Sequence, residues 1–197
     1  MFNLNNFSAI EENYQNGLLP QRNSKKLFYQ QTSCRSNLSL FNLSSENRRI
    51  LNKTKNFSFQ KVPISDFAYS IDIQKTLFSW IKKLEWNFPI SSIKYIFSKH
   101  IFNYIYIWKD VNNCPVAYSI CYFSKTISHI AYVFYNPSLS KTNLPIRLTL
   151  QVIIDSYKQK LQFCYLGRFE AKVQGVGYYK RNMPGFEYFS QNQWRQL

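Results

Sequence analysis

Glycine is scarce in this chain, five in 197 residues. Glycine-rich loops let a backbone approach phosphates closely, so the shortage argues against a glycine-rich nucleotide fold. Acids are scarce as well: 10 Asp and Glu stand against 25 Lys and Arg, a net charge of +15. An excess of this size suits a polyanionic partner, because each neutralised phosphate releases condensed counterions. It is also local. Residues 22–61 carry nine basic residues and one acid, Glu46, which points to nucleic acid rather than to an evenly charged surface. Cys34, Cys114, Cys121 and Cys164 show no metal-ligand spacing, and the last three sit in apolar strand-like runs. They read as buried, reduced thiols of a cytosolic protein. No long apolar run exists. The most apolar stretch, residues 90–108, is broken by Lys94, Lys99 and His100, so no membrane span is expected. The first ten residues lack a basic start and an apolar core, and Glu11 and Glu12 follow, so no signal peptide is expected either. The expectation is a soluble, cytoplasmic protein without a metal.

What is present is core material: aromatics make up 18% of the chain, with 17 Phe and 15 Tyr. That suffices for one well-buried domain and at most two lobes. Residues 1–30 are polar and aperiodic, and read as a flexible or loosely docked start; residues 31–63 form the basic block; residues 64–197 form the main domain. A helix begins at Ser44 or Ser45, with Glu46 in its first turn and Arg48, Arg49 and Lys53 further along. Residues 57–60 alternate like a short strand ended near Pro63. A helix over 72–86, capped by Asp72, follows with the stripe Ile73, Leu77, Trp80, Ile81 and Leu84. A short helix then reaches residue 99. Strands 104–109 and 115–123 flank the turn signal Asp110-Val111-Asn112-Asn113, and a third strand covers 129–135. A helix over 143–160 and a strand over 163–166, ended by Gly167, complete the pattern.

Strand, long amphipathic helix, strand implies a right-handed crossover between parallel strands. Ligands of open α/β sheets sit at the carboxyl ends of such strands. Those ends carry Tyr135, Asn136, Gly167 and Arg168.

Residues 131–167, AYVFYNPSLSKTNLPIRLTLQVIIDSYKQKLQFCYLG, resemble the C-terminal half of the arginyl-tRNA–protein transferases, including the bacterial relatives that transfer leucine. The family reads there as strand, FFY-D-P, helix, strand, YLGY. Residues 34–53, CRSNLSLFNLSSENRRILNK, resemble its N-terminal CR-C … S-NRR-LRK stretch. The closing YYK, GFEYF and Trp194 resemble its YK … G-E-F … W. Three blocks in order over roughly half of the chain are harder to match by chance than one motif. The resemblance implies an α+β fold of the acetyltransferase (GNAT) type, a mixed sheet flanked by helices, to which the order of elements also conforms. It further implies transfer of Arg or Leu from charged tRNA to the N-terminal α-amine of proteins that begin with Asp or Glu, with the charged tRNA as co-substrate and no other cofactor.

An ordinary acetyltransferase of this fold cradles the pyrophosphate of acetyl-CoA with a glycine loop before the crossover helix. Residues 136–146 contain no glycine, and Gln174-Gly175-Val176-Gly177 lies after the second strand and lacks the final glycine. Acetyl-CoA is therefore disfavoured. An α-amine has a pKa of about 8 and the ester is already activated, so the task is positioning and oxyanion stabilisation rather than strong base catalysis. The resemblance places Phe134, Tyr135 and Asn136 on one side of the cleft and Tyr165, Leu166 and Gly167 on the other. Tyr165 or Tyr179 would pass a proton to the leaving ribose hydroxyl. Arg35, Arg49 and Lys180 are the candidate cations for an acidic acceptor side chain, and Arg48 and Lys53 for tRNA phosphate. An arginyl donor calls for a carboxylate, and Glu170 and Glu187 are nearest in sequence. His100 and His129 show no partner pattern and read as ordinary partly buried or surface residues rather than catalytic ones.

The chain departs from the family in three places. Cys34 stands alone where relatives carry further cysteines, so no metal or iron–sulfur cluster is expected. Leu144-Pro145-Ile146-Arg147 replaces LG-Y at the helix start, and Arg168 replaces the aromatic after YLG. Two other readings stay open: a basic RNA-binding homologue without catalysis, and an acyltransferase of the same fold with another donor.

Overall fold

The computed structural model describes residues 8–98, 100–169 and 178–197. In chain order they form α1 (Ala9–Gln15), β1 (Leu18–Pro20), β2 (Phe28–Gln30), β3 (Ser33–Asn37), α2 (Ser45–Lys53) and β4 (Ser58–Pro63). There follow α3 (Ile71–Lys83), α4 (Ile90–Ser98), β5 (Tyr104–Lys109), β6 (Pro115–Phe123), β7 (Ile127–Tyr135), α5 (Leu144–Lys158), β8 (Phe163–Arg168), β9 (Phe186–Ser190) and β10 (Gln193–Arg195).

Local chemistry explains most boundaries. Ser44 caps α2 in a reciprocal box with Asn47, satisfying amide donors the helix cannot pair internally. Ser70, not Asp72, caps α3 by accepting from the Ile73 amide, and the helix stops at Lys83. Glu85, just beyond, takes a left-handed φ of 56°. Between β5 and β6, Asp110 Oδ1 accepts from the Asn112 and Cys114 amides, and Asn113 takes the left-handed conformation that asparagine tolerates best among non-glycine residues.

Among the described residues the main sheet has eight strands in the order β10-β9-β3-β8-β7-β6-β5-β4. Every pairing is antiparallel except β7 with β8. The crossover through α5 therefore joins parallel neighbours, as the strand–helix–strand pattern requires. Two helical layers cover the sheet. On one face Ile50 of α2 and Leu148, Val152 and Ile153 of α5 pack with Trp108 and Cys164. On the other, Tyr14 of α1, Leu77 and Ile81 of α3, and Ile93 and Ile96 of α4 pack with Ile120, Phe134 and Tyr165. Each such fully buried aliphatic side chain contributes about 1.5–3 kcal/mol. The fold is thus α+β, a mixed sheet flanked by helices.

Two segments differ from the sequence expectation. The polar start is not loosely docked over residues 8–30. Ser8 and Glu11 form a capping box on α1, and Tyr14 is fully buried in the sheet-facing core. One large aromatic per helix is too weak a period to read from sequence. The basic block is not set apart either, because β3 lies inside the sheet between β8 and β9.

Candidate active site

Strands β7 and β8 are paired only at their beginnings, where Ile127, Ser128 and His129 face Phe163, Cys164 and Tyr165. Beyond these residues β7 continues to Tyr135 beside β6, while β8 continues to Arg168 beside β3. The parallel strands thus part toward their carboxyl ends. Irregularities on both sides mark the parting. β7 carries an extra residue, Ala131, opposite Ile120 and Cys121 of β6. β8 carries Leu166 as the extra residue opposite Cys34 and Arg35. Bulges of this kind bend a strand and re-aim its side chains.

Gly167 ends the bulge with φ +79°, a conformation glycine adopts without penalty. A Cβ at this position would lie 3.9 Å from both His129 Nε2 and Lys180 Nζ. Both nitrogens are thus within ordinary contact distance of the Gly167 Cβ position. Lys180, from the short 3-10 helix Tyr178–Asn182, donates from Nζ to the Arg168 carbonyl at 2.7 Å. Desolvation lowers its pKa, an effect the nearby Cys34 partly offsets. The Cys34 thiol donates to the Gly167 carbonyl at 3.4 Å, and burial raises it to about 11, so it is a neutral structural thiol.

His129, by sequence an ordinary partly buried or surface residue, lies in the interior. Its Nδ1 lies 2.8 Å from the Tyr14 hydroxyl, while Nε2 is buried without a partner. Burial first, then the charges of Lys180 and His100, lower its pKa to about 3. Nothing in the local sequence signals this role, because Tyr14 is 115 positions away.

The remaining candidates divide. Tyr135 and Asn136 stand where β7 opens, but Asn136 Oδ1 accepts from the amide and hydroxyl of Ser138 and so caps the turn. Tyr135 is half-buried with its ring 6.0 Å from Trp86, and burial raises its pKa. Tyr179 shares a 3.2 Å hydrogen bond with Thr149 of α5; burial raises its pKa too, and Tyr135 is among the neighbours that contribute. Phe134 is buried against Phe88 and Tyr132 and offers the cleft no side chain. Tyr165 is fully buried, 4.8 Å from the Tyr14 ring, and accepts from Arg35 at 3.4 Å. Burial raises its pKa to about 12, so it is poorly placed to release a proton.

Arg35 is internal. Its Nε donates to Glu187 Oε2 at 2.7 Å and its Nη1 to Gln15 Oε1 at 3.0 Å, which commits both its charge and the Glu187 carboxylate. On α2, Arg49 is exposed and paired with Glu46, Arg48 donates to the Leu43 carbonyl, and Lys53 is exposed in the last turn. Glu170 and residues 174–177 lie outside the described residues. Among the described residues no three His, Cys, Asp or Glu side chains gather as a metal-binding group, and no helix is long and apolar enough to cross a membrane. A separate cleft of about 380 Å³, lined by Leu40, Met183, Gly185, Phe186 and Leu197 among others, holds none of these candidates.

The start of α5 bears on the donor. Its Asn143 cap makes no side-chain hydrogen bond and Pro145 occupies the first turn. The Leu144 amide is taken by Thr142 Oγ1 at 3.2 Å, and Pro145 has no amide to offer. This helix start presents little of the amide cradle that a pyrophosphate needs.

No protein-family model matches the sequence, and no curated protein matches it. Solved structures do match in shape. FemX is 9% identical with a TM-score of 0.56, covering 91% of this chain and 65% of its own. A C-terminal domain (DUF2156) from Agrobacterium fabrum, assigned to a lysylphosphatidylglycerol synthetase, is 13% identical with a TM-score of 0.55, covering 71% and 46%. A GCN5-related glucosamine N-acetyltransferase region of a fungal β-N-acetylglucosaminidase is 10% identical with a TM-score of 0.50, covering 80% and 19%. The chain thus spans less than two thirds of the length of each. The likeness shows the fold alone, a mixed sheet flanked by helices of the GCN5-related N-acetyltransferase (GNAT) type.

Proposed function

We propose that this chain is an aminoacyltransferase that moves an amino acid from charged tRNA to an amine. The observation that carries the reading is the splay of β7 and β8 with Lys180 Nζ beside Gly167, in a fold whose α5 start offers little to a pyrophosphate. A half-buried ammonium at the strand ends suits the oxyanion that forms when an ester carbonyl is attacked. The net charge of +15 suits a tRNA donor, with Arg48 and Lys53 on the exposed side of α2 as phosphate contacts. The name of the lysylphosphatidylglycerol synthetase neighbour describes an aminoacyl product and supports an aminoacyl donor here.

The finer reading follows the resemblance to the arginyl-tRNA–protein transferases. The donor amino acid is Arg or Leu, and the acceptor is the α-amine of proteins that begin with Asp or Glu, as in N-degron tagging in the cytoplasm. Arg35 is committed to Glu187 and Arg49 to Glu46, so neither guanidinium takes the acidic side chain of the acceptor. In the reaction the amine nitrogen attacks the ester carbon and the carbonyl electron pair moves to oxygen. Collapse expels the ribose oxygen, which takes up the proton the amine has lost. Half-buried Tyr179 is the better placed of the two tyrosine candidates to relay it.

Incubation with radiolabelled Arg-tRNA or Leu-tRNA and peptides beginning with Asp, Glu or Ala tests this directly. Label on acidic-start peptides supports the whole reading. Label on all three peptides keeps the donor and removes the acceptor preference. No label from either donor, with salt-sensitive tRNA binding retained, leaves an RNA-binding protein of the same fold.

A further inference from the structure

His129 and Tyr14 form a device that packing alone does not explain. The Tyr14 hydroxyl has His129 Nδ1 as its partner at 2.8 Å, and His129 Nε2 is buried without one. Two proton arrangements are open to the pair. If Nδ1 carries the proton, the Tyr14 hydroxyl hydrogen and the Nε2 lone pair are both left buried and unpaired. If Tyr14 donates to Nδ1, only one group is left, an Nε2–H. Each buried unsatisfied polar group is costly, so the second arrangement, which leaves one rather than two, prevails.

The tyrosine is held firmly in that role. Its ring packs 5.6 Å from Phe28, 6.0 Å from Tyr122 and 4.8 Å from Tyr165. The orphan Nε2–H and the Lys180 ammonium both lie 3.9 Å from the point where Gly167 lacks a side chain. The Arg168 carbonyl takes one Lys180 proton, and two remain. The two nitrogens thus flank the Cβ position of Gly167 where β7 and β8 part.

We propose that His129, with its ring fixed by Tyr14, acts with Lys180 as a two-donor site beside Gly167 that binds the carbonyl oxygen of the acyl group being transferred. The assignment rests on the aminoacyltransferase reading of the same cleft. As the amine nitrogen bonds to the carbonyl carbon, the π pair moves to the oxygen, and the Nε2–H and Nζ–H donors hold the resulting oxyanion. Bond re-formation then expels the ribose oxygen, which gains the proton released by the amine. His129 donates throughout and is not consumed as a base. Being neutral, it does not compete with Lys180 through charge repulsion. Tyr14 touches no substrate and is a positioning residue.

Three variants and one spectroscopic measurement test the assignment. His129→Leu removes the donor and should lower kcat for aminoacyl transfer about 10²- to 10³-fold, the effect typical of losing one oxyanion donor. His129→Gln keeps an N–H near the Nε2 position and should recover a large part of that loss. Tyr14→Phe should lower kcat less than His129→Leu and leave KM for tRNA unchanged. Nitrogen NMR of isotope-labelled histidine in the unmodified protein should show a neutral Nε2–H tautomer from about pH 5 to 8, and a mixed tautomer in Tyr14→Phe. The same resonance should move when an adenosine carrying an amino acid through a 3′-amide is added. Transfer by His129→Leu at the unmodified rate, or an Nδ1–H tautomer in the unmodified protein, overturns the assignment and leaves the transferase reading standing. No transfer by the unmodified protein from any charged tRNA overturns both.

Discussion

Arg35 and Glu187 form a buried ion pair, Nε to Oε2 at 2.7 Å, with the two side chains 7% and 9% exposed. The guanidinium is sandwiched between the rings of Phe163 at 3.7 Å and Trp194 at 4.0 Å. Asn37 donates to the other carboxylate oxygen at 2.9 Å, and Trp194 Nε1 donates to the Gln15 carbonyl at 2.8 Å. The pair therefore ties α1, β3, β8 and the last two strands together. Removing one partner strands a buried charge, so Glu187→Ala should destabilise the fold by about 3–5 kcal/mol. Pairing it with Arg35→Met should recover part of that loss. Urea unfolding of both variants measures it, and an additive double variant would show that the pair is not coupled.

Gly167 and Gly185 both take positive φ but should answer substitution differently. A Cβ at Gly185 would sit 2.2 Å from the Asn37 carbonyl oxygen, so Gly185→Ala should disrupt the β3–β9 junction and lower the melting temperature sharply. Among the described residues beyond its chain neighbours, a Cβ at Gly167 meets nothing closer than 3.9 Å, leaving mainly a left-handed strain of about 1–2 kcal/mol. Gly167→Ala should fold, yet on the proposed reading lose transfer because the methyl crowds His129 Nε2 and Lys180 Nζ. Melting curves and initial rates measured side by side separate the two effects.

His129 gives the fold an acid limb. Its folded pKa is about 3, whereas an unfolded histidine titrates near 6.5. Between those values the unfolded state binds more protons, so stability rises with pH there and falls as the solution is acidified from about 6.5 toward 3. At about 1.36 kcal/mol per pH unit the whole interval is on the order of 5 kcal/mol. His129→Gln should flatten this part of a stability–pH curve measured by urea unfolding. An unchanged curve would show that His129 titrates normally in the folded protein.

On the proposed reading, Lys180 should set the alkaline limit of transfer. Burial lowers its pKa, so it loses its proton below the ordinary lysine value of about 10.4. The rate should climb as the acceptor amine is freed near pH 8, then fall as Lys180 is neutralised. Lys180→Met should abolish transfer at every pH. Lys180→Arg, which stays charged, should keep some activity and lose the falling limb. A pH–rate profile of the three proteins decides it.

Acetyl-CoA should not bind measurably. Pro145 and the Thr142–Leu144 contact occupy the first turn of α5, where a pyrophosphate would need free amides. Calorimetric titration of the protein with acetyl-CoA should give no saturable heat, and micromolar binding would reopen the acetyltransferase reading.

The residues legible in the sequence are those whose role is set by near neighbours. Ser44 and the α2 start, the Asp110–Asn113 turn and the strands around it, the α5 crossover and the Gly167 terminus all follow from patterns a few residues long. The same holds for the missing phosphate loop, which is a local absence. Tyr135, Asn136 and Gly167 stand at or just past the carboxyl ends of β7 and β8, and Lys180 Nζ donates to the Arg168 carbonyl. Arg35, Phe134 and Tyr165 belong to the matching blocks too, but their side chains are turned into the core.

Sequence by itself determined the α+β order of elements, the parallel pairing of the two strands that the crossover joins, and the net charge of +15. Hydrophobic period, caps and turn residues act over a few positions, and charge simply adds. The tertiary structure alone decided which polar groups are spent and which are free. Arg35 is silenced by Glu187 from 152 positions away, and His129 is oriented by Tyr14 from 115 positions away. A hydrogen bond or ion pair is satisfied by whatever the fold brings within about 3 Å, and sequence distance carries no information about that.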